Sequence, residues 1–175
     1  MTKRTERSRS DWTAPSRRIG PRRILFVCSG NTCRSPMAEV LLREVVRDHA
    51  TLTDLDVGSA GLAARENDRA SDEAIGLMLE RGLDLTRHRS RRLTPRLGGE
   101  VDLILTMTSD HTARVRRLCG NETPVMTLGD FAGTGEAVGD PFMADLDDYR
   151  QVAAQLARLI DAVVPRLLNE RTGGR

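Results

Sequence analysis

The sequence has little of what holds a secreted or a membrane protein together. Three cysteines, an odd number, argue against a framework of disulfides and fit a reducing compartment. No apolar run approaches the roughly 20 residues of a membrane-spanning helix, and no apolar stretch follows the N-terminal charges as in a signal peptide. The three histidines are not spaced as metal ligands. We therefore expect a cytoplasmic protein with neither a metal nor a membrane partner.

A net positive charge is confined to the first part of the chain. Positions 1–23 hold eight basic and two acidic side chains, a net charge of +6, whereas the whole chain carries +2 and residues 24–175 therefore −4. Because a nucleic-acid site should show a clustered basic face, the acidic balance of residues 24–175 argues against a nucleic-acid partner. Residues 1–21 show no apolar periodicity, so they fit a disordered basic tail better than a nucleic-acid arm or a transit peptide.

The remainder is expected to form one domain over residues 22–168, followed by a flexible C-terminus at 169–175. Apolar stretches predict strands at 23–27, 55–61, 101–107 and, more weakly, 124–128. Helical spacing of apolar residues predicts helices at 36–47, 72–81, 109–118 and 145–168. This alternation predicts an α/β fold, a three-layer domain with helices on both faces of a parallel sheet and a site beyond the carboxyl ends of the strands.

Individual residues predict where the helices begin and end. Ser35 is a candidate cap for the first helix, with Pro36 at its first position. Ser109 is a candidate cap for the third helix, which Gly120 is expected to end. Pro165 is expected to kink or break the last helix.

The most informative segment joins the first strand to the first helix and reads Cys28-Ser-Gly-Asn-Thr-Cys-Arg-Ser35. The backbone N–H groups of such a loop point inward, the following helix offers its positive end, and Arg34 adds a guanidinium, so the loop can bind an anion. The same features make Cys28 a candidate nucleophile towards bound phosphorus. Gly30 permits a tight turn, Asn31 tolerates a left-handed backbone, and Ser35 can donate to the sulfur. A buried cysteine followed by a surface arginine would not need these turn residues.

With this loop in view, the chain resembles the low-molecular-weight protein-tyrosine phosphatase family over roughly residues 22–168. The matching motifs occur in the family's order: Val27–Glu39, Ser59-Ala60-Gly61, His88-x-Ser90, Asp102–Met107 and Asp140-Pro141-Phe142. The resemblance implies a flavodoxin-like fold with a four-stranded parallel sheet. It also implies that the protein hydrolyses a phosphorylated protein side chain without a metal or another cofactor.

By position, the resemblance assigns the chemistry to three residues. Cys28 would attack phosphorus, Arg34 would stabilise the equatorial oxygens, and Asp140 would protonate the leaving atom. Water would then hydrolyse the thiophosphoryl-cysteine, with Asp140 acting as the base. The residues assigned to substrate binding are Ser29, Gly30, Asn31, Thr32, Cys33, Ser35, Phe131 and Phe142.

Two of these assignments have alternatives. An Asp-Pro pair is also common at turns, so Asp140 is interpreted as the acid only through the resemblance. Cys33 either forms a reversible disulfide with Cys28, as the resemblance allows, or packs as a small residue under the loop. Other acids lie nearby but are expected in the first turn of the last helix: Asp145, Asp147 and Asp148.

Two positions favour phosphoarginine slightly over phosphotyrosine as the substrate. Tyrosine-specific members of the resembling family commonly have a larger aliphatic residue in place of Thr32, whereas its bacterial protein-arginine phosphatases have threonine. Those tyrosine-specific members often have two consecutive aromatic residues where this chain has Phe142-Met143. The alternative for Phe142 is ordinary packing in the core.

Two other functions fit parts of the pattern. Arsenate reductases share this fold and loop but need further cysteines to relay a disulfide, and only Cys119 lies downstream. A non-catalytic phosphate-binding module would not need a nucleophile, an arginine and an acid together. Hydrolysis therefore remains the favoured interpretation.

Overall fold

The computed structural model describes residues 20–143 and 145–173, so the predicted basic tail lies outside the described residues up to position 19. Four strands form one parallel sheet in the order β2-β1-β3-β4. Their bounds are Arg23–Cys28 for β1, Asp56–Gly61 for β2, Leu103–Thr106 for β3 and Val125–Thr127 for β4. The predicted α/β class and the four-stranded parallel sheet are confirmed.

The central strand β1 is buried on both faces of the sheet. Ile24 and Phe26 point into one apolar cluster, and Leu25 and Val27 point into the other. Successive residues of a strand alternate between the two faces, so a continuous apolar run is what a strand covered on both sides requires. This burial places Cys28, the last residue of β1, at the carboxyl edge of the sheet.

Helices cover both faces, which confirms the predicted three layers. The long helices α1 and α6 pack against the larger cluster, whereas α3 and α4 cover the other face. A 3₁₀ turn at Ala50–Leu52 precedes β2. The helices are α1 (Arg34–Arg47), α2 (Asp72–Leu79), α3 (Pro95–Gly99), α4 (Ser109–Cys119), α5 (Leu128–Phe131) and α6 (Leu146–Thr172).

Helix α1 begins earlier than predicted, and Ser35 is not its cap. Arg34 is already helical, and Cys33 at the N-cap position makes no side-chain capping bond. The Ser35 hydroxyl instead lies against Cys28 and accepts a hydrogen bond from Asn31, so it is not available to cap the helix. Pro36 is the third helical residue, still within the first turn, where backbone N–H groups have no helical partner.

Helix α4 is capped by Thr108 rather than by Ser109. Thr108 has an extended backbone, and its Oγ1 accepts from the backbone N–H of His111 at 3.3 Å. Both residues have a hydroxyl that can cap, so the sequence alone did not distinguish them. Gly120, with φ of +80°, ends the helix as predicted.

Pro165 does not break helix α6, which continues to Thr172. The helix therefore extends beyond position 168, the predicted end of the domain. A proline inside a helix removes one backbone hydrogen bond. The apolar face of α6 is buried on both sides of it, with residues such as Ile160, Val163 and Leu167, and this packing outweighs the lost bond. No helix among the described residues is long and apolar enough to cross a membrane.

Candidate active site

Cys28 lies at the bottom of a loop that runs from the end of β1 to the start of α1. Its side chain is 2% exposed. The backbone N–H of Asn31 donates to the Cys28 sulfur at 3.3 Å, and the Ser35 hydroxyl lies 3.0 Å from it, which confirms the predicted contact. Both groups can donate hydrogen bonds to a thiolate, the form in which cysteine is a nucleophile.

Asn31 holds the shape of the loop. Its φ is +57°, the left-handed region that the sequence predicted, whereas Gly30 does not need a positive φ. The Asn31 side chain donates to Ser35 Oγ at 3.0 Å and to Ser59 Oγ at 2.9 Å, and it accepts from the backbone N–H of Arg91 at 2.9 Å. Both Asn31 and Ser35 are fully buried and outside the lining of the cleft, so their side chains support the loop from below.

The carboxyl end of β2 packs closely against this loop. A Cβ atom on Gly61 would lie 2.7 Å from the Ser29 carbonyl oxygen and 2.9 Å from the Asn31 nitrogen, so a larger residue would push the loop away. Two residues earlier, Ser59 donates to Glu39 at 2.5 Å while accepting from Asn31. The Ser59-Ala60-Gly61 motif therefore positions the loop.

Arg34 and Asp140 meet at the loop although 106 residues separate them in sequence. The Arg34 guanidinium is 3% exposed and forms an ion pair with the Asp140 carboxylate, which is 47% exposed. Arg34 also donates to the Val138 carbonyl at 3.3 Å and to Ser29 Oγ at 3.5 Å. The structure thus brings Cys28, Arg34 and Asp140 together around one cleft.

The other acids near Asp140 belong to helix α6. Asp145 is the N-cap residue, and its carboxylate accepts from the backbone N–H groups of Asp147 at 2.9 Å and Asp148 at 3.0 Å. Asp147 and Asp148 lie in the first turn, where negative charge stabilises a helix. Their predicted role in the helix is confirmed.

His111 contacts the loop, although no role was predicted for it from the sequence. Its Nε2 lies 2.9 Å from Ser29 Oγ, and its Nδ1 lies 2.9 Å from Thr108 Oγ1. Ser29 Oγ also accepts from Arg34 at 3.5 Å, so His111 belongs to a chain of hydrogen bonds that ends at the guanidinium. Burial, together with the nearby Arg34, lowers the pKa of His111, so the ring is neutral at pH 7.

His88 makes a second contact that was not predicted. Its Nε2 lies 2.8 Å from the backbone carbonyl oxygen of Asn31. The His88-x-Ser90 motif was the only signal for it in the sequence. Ser90 accepts from the backbone N–H of Asp68 at 3.0 Å, so both motif residues fix the segments around the loop.

The cleft above Cys28 has a volume of about 480 Å³. Four further residues of the loop line it, namely Ser29, Gly30, Thr32 and Cys33. Its other walls come from the turn after β2, the start of α2, the segment after Asp140 and the first turn of α6. The residues that contribute them are Ala63, Ser71, Glu73, Phe142, Met143 and Tyr149.

The two phenylalanines differ in position. Phe142 lines the cleft and is 74% exposed, so its alternative placement in the core is wrong. Phe131 is buried in the larger cluster, with the Arg166 guanidinium 4.2 Å from its ring centroid. It lines a separate cavity together with Pro21 and Pro124, so the prediction that Phe131 forms a wall of the active site is wrong.

The three cysteines are free. Burial, and after it the nearby Cys28, raises the pKa of Cys33 to about 12, so Cys33 is a thiol at neutral pH. Cys33 packs against the larger apolar cluster from the cleft side. Cys119 lies at the opposite end of α4 from His111, eight residues away and hence about 12 Å along the helix.

No group of three His, Cys, Asp or Glu side chains that could hold a metal ion occurs within residues 20–143 and 145–173. The polar groups at the loop already have protein partners, because no buried side-chain nitrogen or oxygen in these ranges lacks a hydrogen bond. The loop offers a nucleophile, the backbone N–H of Asn31 directed at it, and a guanidinium. These are the requirements for binding and attacking a phosphoryl group.

A parallel α/β domain with a cysteine-to-arginine loop after its first strand is the architecture that cysteine-dependent phosphatases share with arsenate reductases. The chain belongs to the low molecular weight phosphotyrosine protein phosphatase family, whose sequence model matches residues 23–172. The resemblance inferred from the sequence is therefore confirmed.

The relatives include proteins named for two different substrates. The chain is 35% identical over 150 residues to a protein-arginine-phosphatase of Bacillus subtilis, covering 85% of this chain and 98% of the relative. It is 34% identical to a probable low molecular weight protein-tyrosine-phosphatase, EpsP, of Ralstonia solanacearum, covering 82% of this chain and 94% of the relative. Among solved structures, the YwlE arginine phosphatase from Geobacillus stearothermophilus matches with a TM-score of 0.79 and 36% identity, covering 89% of this chain and 98% of that one.

Proposed function

We propose that this member of the family hydrolyses phosphoarginine side chains of proteins in preference to phosphotyrosine. The observation that carries the catalytic part is the convergence of Cys28, Arg34 and Asp140 on one cleft. The substrate preference is supported by Thr32 in the cleft wall and by relatives from two Bacillus-type organisms that are named protein-arginine-phosphatase.

In the first step, the Cys28 thiolate attacks phosphorus in line with the bond to the arginine nitrogen. An S–P bond forms, the P–N bond breaks, and the Asp140 carboxyl group gives its proton to the leaving nitrogen. Arg34 and the loop N–H groups stabilise the charge on the three equatorial oxygens. Because Arg34 and Asp140 are in contact, a phosphoryl group held by Arg34 lies beside the acid.

In the second step, water attacks phosphorus in the thiophosphoryl-cysteine. Asp140 takes the proton from water, the P–S bond breaks, and inorganic phosphate leaves with the thiolate restored. The contacts from Asn31 and Ser35 stabilise the departing sulfur. A related structure supports this intermediate: a cysteine-to-serine mutant of the YwlE arginine phosphatase carries a phosphorylated active-site serine and shares 34% identity at a TM-score of 0.79.

The residues around the mouth of the cleft support the preference for phosphoarginine. Thr32 is smaller and more polar than an aliphatic residue, so its hydroxyl can contact the guanidinium nitrogen or water. Phe142 gives one aromatic wall, while Met143, 90% exposed, stands where a second ring would be needed to enclose a phenol. The reduced cysteines that this chemistry needs fit the cytoplasm as its compartment.

Reduction of arsenate receives less support than hydrolysis. A disulfide relay needs a second thiol that can reach the nucleophile, and Cys119 lies at the far end of α4 from the loop. Cys33 is adjacent, but relaying the disulfide onward would need a third cysteine within reach. A thioredoxin-coupled assay with arsenate should therefore show no turnover.

The test compares phosphoarginine and phosphotyrosine peptides with the same flanking residues. Cys28→Ser should abolish turnover of both, because the oxygen is a far weaker nucleophile. Asp140→Asn should lower kcat for phosphoarginine by about 10²- to 10⁴-fold, the usual contribution of a general acid. Thr32→Ile should shift the ratio of kcat/KM values towards phosphotyrosine by about tenfold.

Thermal unfolding of each variant serves as the control for loss of fold. Activity that survives Cys28→Ser would contradict the mechanism itself. If Thr32→Ile leaves the substrate ratio unchanged while the variant stays folded, the argument for phosphoarginine from this residue is wrong.

A further inference from the structure

Glu73 is an acidic residue in the wall of the cleft that the mechanism above does not use. It lies in the first turn of α2, is exposed, and lines the same cleft as Thr32 and Asp140. Within residues 20–143 and 145–173, it forms neither an ion pair nor a side-chain hydrogen bond. The carboxylate is thus free to meet whatever enters the cleft.

The charge of Glu73 acts on the interior of the cleft. Burial is the main cause of the raised pKa values of Cys33 and Tyr149, and Glu73 adds to both shifts. Both residues are themselves in the wall. Glu73 is therefore close enough to act electrostatically on a substrate group that lies in the cleft above Cys28.

A carboxylate in this position discriminates between substrates by charge. Arg34 and the loop would attract the phosphoryl group, and Glu73, in the wall of the same cleft, would then meet the part of the substrate to which phosphorus is attached. In phosphoarginine that part is a guanidinium, which retains positive charge and N–H groups that can donate. In phosphotyrosine it is an uncharged ring that offers nothing to a carboxylate.

We propose that Glu73 is a specificity-determining residue that accepts hydrogen bonds from the guanidinium of a phosphoarginine side chain. The inference rests on the proposed function in that it concerns the same cleft and the same reaction. It adds a contribution from charge to the substrate preference, separate from the effect of Thr32 in the cleft wall.

An acid in the first turn also stabilises its helix, and this role has to be separated from substrate binding. Asp72 precedes Glu73 in the same turn of α2, is likewise exposed, and does not line the cleft. Both acids lie near the positive end of the helix, so each contributes to helix stability in the same way. Asp72→Asn is therefore the matched control for Glu73→Gln.

The experiment measures kcat/KM of the wild type, Glu73→Gln and Asp72→Asn on the phosphoarginine and phosphotyrosine peptides, with thermal unfolding of each protein. Glu73→Gln should lower kcat/KM for phosphoarginine about tenfold, as expected for one charge-assisted hydrogen bond. Its activity on phosphotyrosine should stay the same or rise slightly, because a negative charge near the phosphate is removed. Asp72→Asn should keep the wild-type ratio.

The outcomes separate this inference from the proposed function. A wild type that prefers phosphotyrosine overturns the proposed preference, yet the inference stands if Glu73→Gln still lowers the phosphoarginine-to-phosphotyrosine ratio about tenfold. A wild type that prefers phosphoarginine with an unchanged ratio in Glu73→Gln overturns the inference alone. Equal losses on both substrates, or the same change in Asp72→Asn, also overturn it.

Discussion

At the scale of the residue, His111 links the loop to helix α4 through a neutral ring. Its Nε2 lies 2.9 Å from Ser29 Oγ, which also accepts a hydrogen bond from Arg34. Burial and the Arg34 charge lower the pKa of His111 in the folded protein, whereas in the unfolded chain it titrates near the usual value of about 6.5. Below that pH the unfolded chain binds more protons than the folded one, so acid destabilises the fold.

The free energy of unfolding should therefore decrease as the pH falls below about 6.5, by up to about 1.4 kcal/mol per pH unit from this residue. His111→Gln should remove that part of the pH dependence. Urea denaturation at several values between about pH 5 and 7.5 measures it. The control is His49→Gln, because His49 contacts neither Ser29 nor Thr108. An identical pH dependence of the free energy of unfolding in His111→Gln and in the wild type would contradict the prediction.

At the scale of the element, the structure places the cap of α4 on Thr108 and gives Ser109 no capping bond. Thr108→Ala should lower the free energy of unfolding by about 1 kcal/mol, the usual value of an N-cap. Ser109→Ala, one residue away and otherwise matched, should change it by less than about 0.5 kcal/mol. Chemical denaturation of both variants tests this, and equal effects would contradict the assignment. Because Thr108 also contacts His111, only Thr108→Ala should lower kcat/KM as well.

The centres of the elements and the end of α4 at Gly120 could be predicted from the sequence, but the caps of α1 and α4 and the end of α6 could not. The run from Ile24 to Val27 is buried on both faces, a condition that a continuous apolar pattern expresses directly. At the start of α1 the Ser35 hydroxyl is engaged by Cys28, and at the start of α4 two adjacent hydroxyls could serve as the cap. The course of α6 through Pro165 depends on packing against distant residues. Such tertiary contacts leave no local signal.

Some residues of the candidate site could likewise be predicted from the local sequence, and others could not. Cys28 and Arg34 follow from the loop because turn residues, strand and helix are contiguous there. Asp140 required the family resemblance, since an Asp-Pro pair by itself also occurs at turns. Glu73 had no signal, because an exposed acid in a first turn looks the same whether or not it faces a cleft.

At the scale of the whole molecule, the anion site exists only when distant parts of the chain are assembled. Arg34 contacts Asp140 across 106 residues, and Ser29 contacts His111 across 82. The loop itself rests on β2 through Gly61. Unfolding any layer therefore dismantles the site, so an anion that binds there binds the folded state alone. By linkage, such a ligand stabilises the entire domain.

Inorganic phosphate, the product of the proposed reaction, should consequently raise the thermal unfolding midpoint. At a concentration about 100 times its Kd the gain is about 2.7 kcal/mol, and for a chain of this size that corresponds to about 5–10 °C. Arg34→Gln should lose most of the increase, because the guanidinium supplies the charge that holds the anion, whereas Cys28→Ser should keep it. Sodium chloride at matched ionic strength controls for screening. The same increase in chloride or in Arg34→Gln would place the bound phosphate somewhere other than the loop that follows β1.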